Sequence, residues 1–324
     1  MAFTKGRQAM KKVVILESLG IPAEELKTFQ APFAGEVEFK EYAKTTDIPA
    51  LIDEAKDADA MIIANMPMPG EVISACEKLQ FIDVAFTGVD HVGLDAAKAK
   101  GIKVSNASGY SNEAVSELVI GMVLSMMRNI PAVQERVRSG GTKDGLVGCE
   151  LAGKTVGIIG FGNIGRRTGA LMHAFGCKVL AQSRTIHSDF PDYAEQVSQD
   201  ELLRRSDVVV LHCPLNESTR GMINYEKLSL MKPSALLVNV ARGPVTNEDD
   251  LARALKEGII AGAAVDVFTK EPPLPSDTQM LHAPNTLLTP HIAFATKESM
   301  TLRAEIVFDN LRAWLDGGQK NVIL

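Results

Sequence analysis

Short continuous runs of apolar residues recur along the whole chain, and helix-periodic stretches separate them. The early runs are Val13–Leu16, Val37–Phe39, Ala60–Ala64, Phe81–Phe86 and Lys103–Ser105. Later ones are Thr155–Ile159, Lys178–Ala181, Asp207–Leu211, Ala235–Val240, Ala261–Val267 and Thr286–Leu288. A strand without polar alternation offers no face to water, so it must be covered on both sides. Parallel strands joined by crossover helices meet that demand, and the alternation of β and α predicts a doubly wound α/β fold. The runs are too many for one compact sheet. At about 150 residues per domain, 324 residues also make two. Two doubly wound parallel-sheet domains are therefore expected. Disorder is excluded, because 46% hydrophobic residues can offset the chain entropy lost on folding.

A long helix is predicted after Asn112, which suits an N-cap, with Pro131 kinking or ending it. Ser139–Thr142 reads as a loop. The stretch Ala114–Ile130 is interrupted by Glu117 and Arg128, so it reads as a buried helix and not a membrane span. Lys297–Leu315 is again helical in period and follows the last strand of the second sheet. If it crosses back, the first domain is discontinuous: residues 1–108 with 297–324, and 109–296 between them. The basic start of the chain leads into Val13–Leu16, too short for a signal-peptide core, and Met10 is an equally good start.

The net charge of −6 argues against nucleic acid as the main partner, since phosphate backbones need a basic surface. Cys76, Cys149, Cys177 and Cys213 form no CxxC pair and no zinc-ligand spacing with histidine, so no metal site is expected. Scattered thiols suit a reducing, cytoplasmic setting.

In mid-chain, Thr155–Ile159 leads into Gly160-Phe161-Gly162-Asn163-Ile164-Gly165, and a helical stretch follows. A GxGxxG between a buried strand and a helix is the dinucleotide-binding context. Gly160 permits the tight turn, Gly162 lets a pyrophosphate approach the backbone, and Gly165 lets helix and strand pack closely. The helix N-terminus then offers free N–H groups to the phosphates. At the end of the next strand an acid would accept the ribose 2′-OH. Here Ser183 stands at 183 − 165 = 18 residues on, within Gln182-Ser183-Arg184-Thr185. An arginine beside two hydroxyls suits a 2′-phosphate, so NADP(H) is favoured over NAD(H), which the segment still permits.

Three more segments stand at strand ends: Val240-Ala241-Arg242-Gly243, Asp266-Val267-Phe268-Thr269-Lys270-Glu271-Pro272-Pro273 and Thr289-Pro290-His291-Ile292. In doubly wound sheets, ligands bind outside the carboxyl ends of the strands. With the mid-chain glycine loop and Thr87-Gly88-Val89-Asp90-His91, these segments resemble the D-isomer-specific 2-hydroxyacid dehydrogenases over nearly the whole chain. Order and spacing agree, with 271 − 242 = 29 and 291 − 271 = 20. The resemblance implies a Rossmann cofactor domain inserted into a flavodoxin-like substrate domain, and a homodimer with the helix after Asn112 at its interface. It also implies cofactor contacts from Cys213, Pro214, Val240 and Ala241, and from Asp266 to the nicotinamide amide. The loop Thr87-Gly88-Val89 would hold the substrate carboxylate.

The chemistry fits those residue types. Arg242 can bind a carboxylate and polarise a ketone oxygen where negative charge develops. Reduction of a 2-oxo acid must also deliver a proton to that oxygen. Imidazole suits that transfer near neutral pH, so His291 is the expected donor, with Glu271 orienting it and favouring its protonated form. The family's pocket loop would be Ala64-Asn65-Met66-Pro67-Met68-Pro69, where Asn65 and Met66 would meet the substrate and the methionines form an apolar wall. Neither Lys nor Arg occurs from Met61 to Pro69 or from Val84 to Val92, which disfavours a phosphorylated substrate. Two substrate readings stand: glyoxylate or hydroxypyruvate, and a bulkier apolar 2-oxo acid. A dinucleotide-sensing interaction protein with little turnover is the rival class.

Overall fold

The computed structural model describes residues 9–184 and 190–324. It divides into two units, residues 1–111 with 295–324 and residues 112–294. The expected cuts were at 108/109 and 296/297.

The first unit has five strands: β1 (Lys11–Ile15), β2 (Val37–Glu41), β3 (Ala60–Ile63), β4 (Phe81–Val84) and β5 (Lys103–Asn106). All pair in parallel, in the order β2-β1-β3-β4-β5. This is the flavodoxin-like order, and its direction reverses between β1 and β3. The terminal helix Lys297–Leu315 belongs to this unit and has the bounds the periodicity predicts. Phe308 stacks on Phe29 at 5.5 Å, and Trp314 on Phe81 at 5.3 Å.

The second unit has seven parallel strands: β6 (Thr155–Ile159), β7 (Lys178–Gln182), β8 (Ala194–Gln196), β9 (Val208–Leu211), β10 (Leu236–Asn239), β11 (Gly262–Val265) and β12 (Thr286–Leu288). The order β12-β11-β10-β9-β6-β7-β8 is the Rossmann order with one added edge strand, reversing between β6 and β9. Val209, Leu211 and Leu237 pack into a core on one face of this sheet, and Val208, Val210 and Val238 into a core on the other. That is why the runs are continuous: each successive side chain meets a covered face. Strand β8 has no apolar run to announce it, because Ala-Glu-Gln lies at an edge.

The predicted long helix is Asn112–Met127, with Asn112 its first residue and not the N-cap. Its end is a correction. Pro131 does not break it; the break is at Asn129, which is left-handed at φ 53°. Pro131 sits in the first turn of the next helix, Ile130–Arg138, where its missing N–H costs nothing. Among the described residues no single helix is long and apolar enough to cross a membrane; only the bent pair Asn112–Met127 and Ile130–Arg138 reaches that length and composition, and the first of these is largely buried.

Candidate active site

The glycine loop joins β6 to the helix Asn163–Ala174. Gly160 is left-handed at φ +95°, and a Cβ there would lie 2.4 Å from the Cys213 nitrogen. A Cβ at Gly165 would lie 2.1 Å from the Gly160 oxygen. These two positions therefore exclude a side chain, by conformation and by packing. Gly162 differs: nothing lies within 4 Å of its Cβ position, and Gly162 and Asn163 are exposed. The helix N-terminus is open where a pyrophosphate would sit. Phe161 is buried against Phe190, and the Cys213 thiol is buried with its pKa pushed up to about 11. Cys213 therefore approaches this loop through its backbone. Pro214 is exposed, and Val240 and Ala241 are nearly buried. At the carboxyl end of β7, Ser183 is half-buried and Arg184 exposed; Thr185 lies outside the described residues.

Arg242, Glu271 and His291 follow β10, β11 and β12, which are adjacent. The structure thus brings to neighbouring strand ends three residues separated by tens of positions. Each loop has its own support. Asn239, which sequence reasoning passed over, ends β10. Its amide donates to the Arg242 carbonyl at 3.1 Å, and its oxygen accepts from the Ala241 N–H at 3.1 Å. Gly243 packs so tightly that a Cβ would lie 2.0 Å from the Phe268 carbonyl carbon. That approach sets the Arg242 turn against the segment leading to Glu271. The Arg242 guanidinium donates to the Ala241 carbonyl at 2.9 Å.

His291 is left-handed at φ 57°, a costly conformation for a non-glycine residue. Asp266 holds it there. The Asp266 carboxylate is fully buried; Oδ1 accepts from the Thr289 hydroxyl at 2.5 Å and the Ile292 N–H at 2.8 Å, and Oδ2 from the Ala293 N–H at 2.9 Å. The His291 N–H donates to the Asp266 carbonyl at 2.7 Å. The carboxylate expected to receive the nicotinamide amide thus also braces the histidine loop. The His291 Nδ1 lies 3.1 Å from Glu271 Oε1, and Phe294 meets the ring edge-on at 5.3 Å. Glu271 is about half exposed, whereas His291 is mostly covered.

In the first unit, Thr87, Gly88 and Val89 form a half-buried loop after β4. The loop after β3 corrects two expectations. Met66 and Met68 are fully buried, so they belong to the core and form no apolar substrate wall. The reason is Glu17, itself buried, whose carboxylate accepts from the Ala64 and Met66 N–H groups at 3.1 and 2.9 Å and draws the loop inward. Glu17 also pairs with Lys44 at 2.7 Å, and Lys44 donates to Asn65 Oδ1 at 3.1 Å. A cation therefore stands beside Asn65 although none occurs nearby in sequence. His91 closes the loop through its Nε2, 2.8 Å from the Ala64 carbonyl.

Residues 120–293 match the family model for the D-isomer specific 2-hydroxyacid dehydrogenase NAD-binding domain. The chain is 34% identical to a hydroxypyruvate reductase of Blautia hydrogenotrophica over 96% of this chain and 99% of that one. It is 36% identical to a glycerate dehydrogenase of Methylorubrum extorquens, covering 97% and 99% respectively. Among solved structures, the D-lactate dehydrogenase of Aquifex aeolicus complexed with NAD and lactic acid superposes with a TM-score of 0.85, at 30% identity, covering 95% of this chain and 96% of that one. An open phosphate-binding turn, an Arg–Glu–His set on adjacent strand ends and full-length similarity agree: the chain belongs to the D-isomer specific 2-hydroxyacid dehydrogenases and takes a nicotinamide dinucleotide as its cofactor.

Proposed function

We propose that this chain reduces a small polar 2-oxo acid, of the glyoxylate or hydroxypyruvate kind, to the 2-hydroxy acid, in the D form where the product is chiral. The observation that carries the reading is the convergence of Arg242, Glu271 and His291 at three adjacent strand ends, with Glu271 3.1 Å from the imidazole. The reduced nicotinamide supplies a hydride to the ketone carbon. Arg242 binds the substrate carboxylate and stabilises charge growing on the ketone oxygen. His291 delivers the proton to that oxygen from Nε2, while Glu271 accepts from Nδ1–H and favours the imidazolium. Such proton transfer contributes on the order of 10²–10⁴-fold. In the reverse direction neutral His291 takes the hydroxyl proton.

The loop Thr87–Val89 is assigned to the substrate carboxylate, and Asn65 to the substrate's far end. Burial of Met66 removes the apolar wall, and Lys44 beside Asn65 makes a polar one. That favours the small polar substrates over a bulky apolar one. NADP(H) is the favoured cofactor, with Ser183 and Arg184 on the 2′-phosphate. Gly160, Gly162, Asn163, Ile164 and Gly165 with Pro214 are assigned to the pyrophosphate side. A homodimer is the expected assembly.

The test is a panel of glyoxylate, hydroxypyruvate, pyruvate and 4-methyl-2-oxopentanoate, each with NADPH and with NADH. The expected outcome is highest kcat/KM for the first two with NADPH, and a D product from hydroxypyruvate, the one of the two whose product has a stereocentre. Tight dinucleotide binding with no turnover of any 2-oxo acid would establish the sensor instead.

A further inference from the structure

His212 has no part in the proton transfer proposed above, yet it follows β9 directly, beside the glycine loop. Its backbone N–H donates to the Ile159 carbonyl at 2.7 Å, and a Cβ on Gly160 would strike its carbonyl carbon at 2.6 Å. Its side chain enters a line of polar atoms. His212 Nε2 lies 2.9 Å from the Thr168 hydroxyl, on the helix Asn163–Ala174. Thr168 Oγ1 lies 3.2 Å from Ser116 Oγ, and Ser116 Oγ lies 2.7 Å from the Asn112 carbonyl oxygen. Thr168 and Ser116 are both fully buried, so no water competes for the bond between them.

The direction of the line follows from its end. A carbonyl oxygen only accepts, so the Ser116 hydroxyl donates to Asn112. Its other neighbouring carbonyl, Ile164 at 3.4 Å, leads to the same conclusion. Ser116 Oγ then accepts from Thr168, and Thr168 accepts from His212. The imidazole must carry its proton on Nε2. Burial also pushes its pKa down to about 3, which keeps the ring neutral.

We infer that His212, as the neutral Nε2–H tautomer, is a positioning residue: it heads a buried relay through Thr168 and Ser116 to Asn112 that sets the helix Asn163–Ala174 for the dinucleotide pyrophosphate. The relay ties three pieces together: the loop after β9, the helix whose N-terminus faces the phosphates, and the residue at which the chain enters the second unit. Such groups matter to affinity because a helix end displaced by a fraction of an ångström loses its aim at the anion.

The experiment measures dinucleotide affinity by fluorescence titration without substrate, on the full chain, with a melting curve for each variant. This separates it from the turnover reading, which uses the oxo acid panel. His212→Leu and Thr168→Val should each weaken NADPH binding about tenfold, the loss expected when a buried polar partner is orphaned. The double variant should bind no worse than the weaker single, because both break one line. His212→Gln, whose amide can donate to Thr168, should stay within about threefold of the parent. Unchanged affinity in folded variants, or additive losses, would overturn the relay. Should the variants not fold, ¹⁵N spectra of the parent decide: an Nε2–H imidazole that does not titrate above pH 5 is expected, and an Nδ1–H tautomer sinks the inference.

Discussion

His291 combines a left-handed backbone with the proton-transfer role proposed for it, and the strain is held by one carboxylate. Asp266 accepts three hydrogen bonds from the loop Thr289–Ala293. An amide in its place offers one acceptor oxygen and presents N–H groups to N–H donors. Asp266→Asn should therefore lower kcat at least tenfold, with a smaller change in cofactor affinity, as read from steady-state kinetics and NADPH titration. His291→Ala should lower kcat by about 10²–10⁴-fold while NADPH still binds; retained turnover would displace it as the donor. At the carboxyl end of β7, Arg184 is exposed. Arg184→Ala should raise KM for NADPH much more than for NADH; equal effects on both would remove the 2′-phosphate assignment.

At the scale of elements, glycines show how much of the site is legible before folding. The glycine loop could be read because strand, turn and helix are consecutive, and its chemistry is local. Gly165→Ala places a methyl 2.1 Å from the Gly160 oxygen. The helix must then move off the strand, and NADPH affinity should fall more than tenfold in a titration, with a lower melting temperature. Gly243 could not be read that way, since the Phe268 backbone it meets lies on another strand end. The helix break at Asn129 was misplaced onto Pro131 for a related reason: proline is the more obvious breaker, yet in a first turn it is harmless.

Strand β4 carries another such position. Asp83 is fully buried, and burial holds its carboxyl well above the usual carboxylate range, although Asn310 Nδ2 donates to it at 3.0 Å. The unfolded chain releases this proton near pH 4, whereas the folded chain keeps it. The unfolded state thus binds fewer protons above that pH, so stability falls as pH rises towards the folded pKa. Asp83→Asn removes this penalty. The variant should melt with the parent near pH 4 and above it at pH 8; no divergence would contradict the neutral buried acid.

Over the whole molecule, the chain leaves its first unit at Ser111 and returns to it at Ala295. The terminal helix covers Phe29 and Phe81 and places Asn310 on Asp83. Removing residues 297–324 should expose that face and unfold the first unit, as protease sensitivity of residues 9–111 would report. The second unit keeps both faces of its sheet covered by its own helices, so NADPH binding should survive while turnover is lost. Loss of NADPH binding as well would show that the second unit depends on the first.

The sequence by itself determined the parallel α/β class, the glycine turn and the terminal helix, and it singled out Arg242, Glu271 and His291 as candidates. The first three are written in local periodicity or in a short motif whose chemistry needs no distant partner. Tertiary structure alone decided how those residues are held and what surrounds the loop after β3. Asp266 was engaged by the histidine loop, Met66 turned into the core, and Lys44 arrived beside Asn65 through Glu17. These outcomes depend on hydrogen bonds and burial between residues about twenty to fifty positions apart, and the pattern of one segment carries no record of which distant carboxylate will reach it.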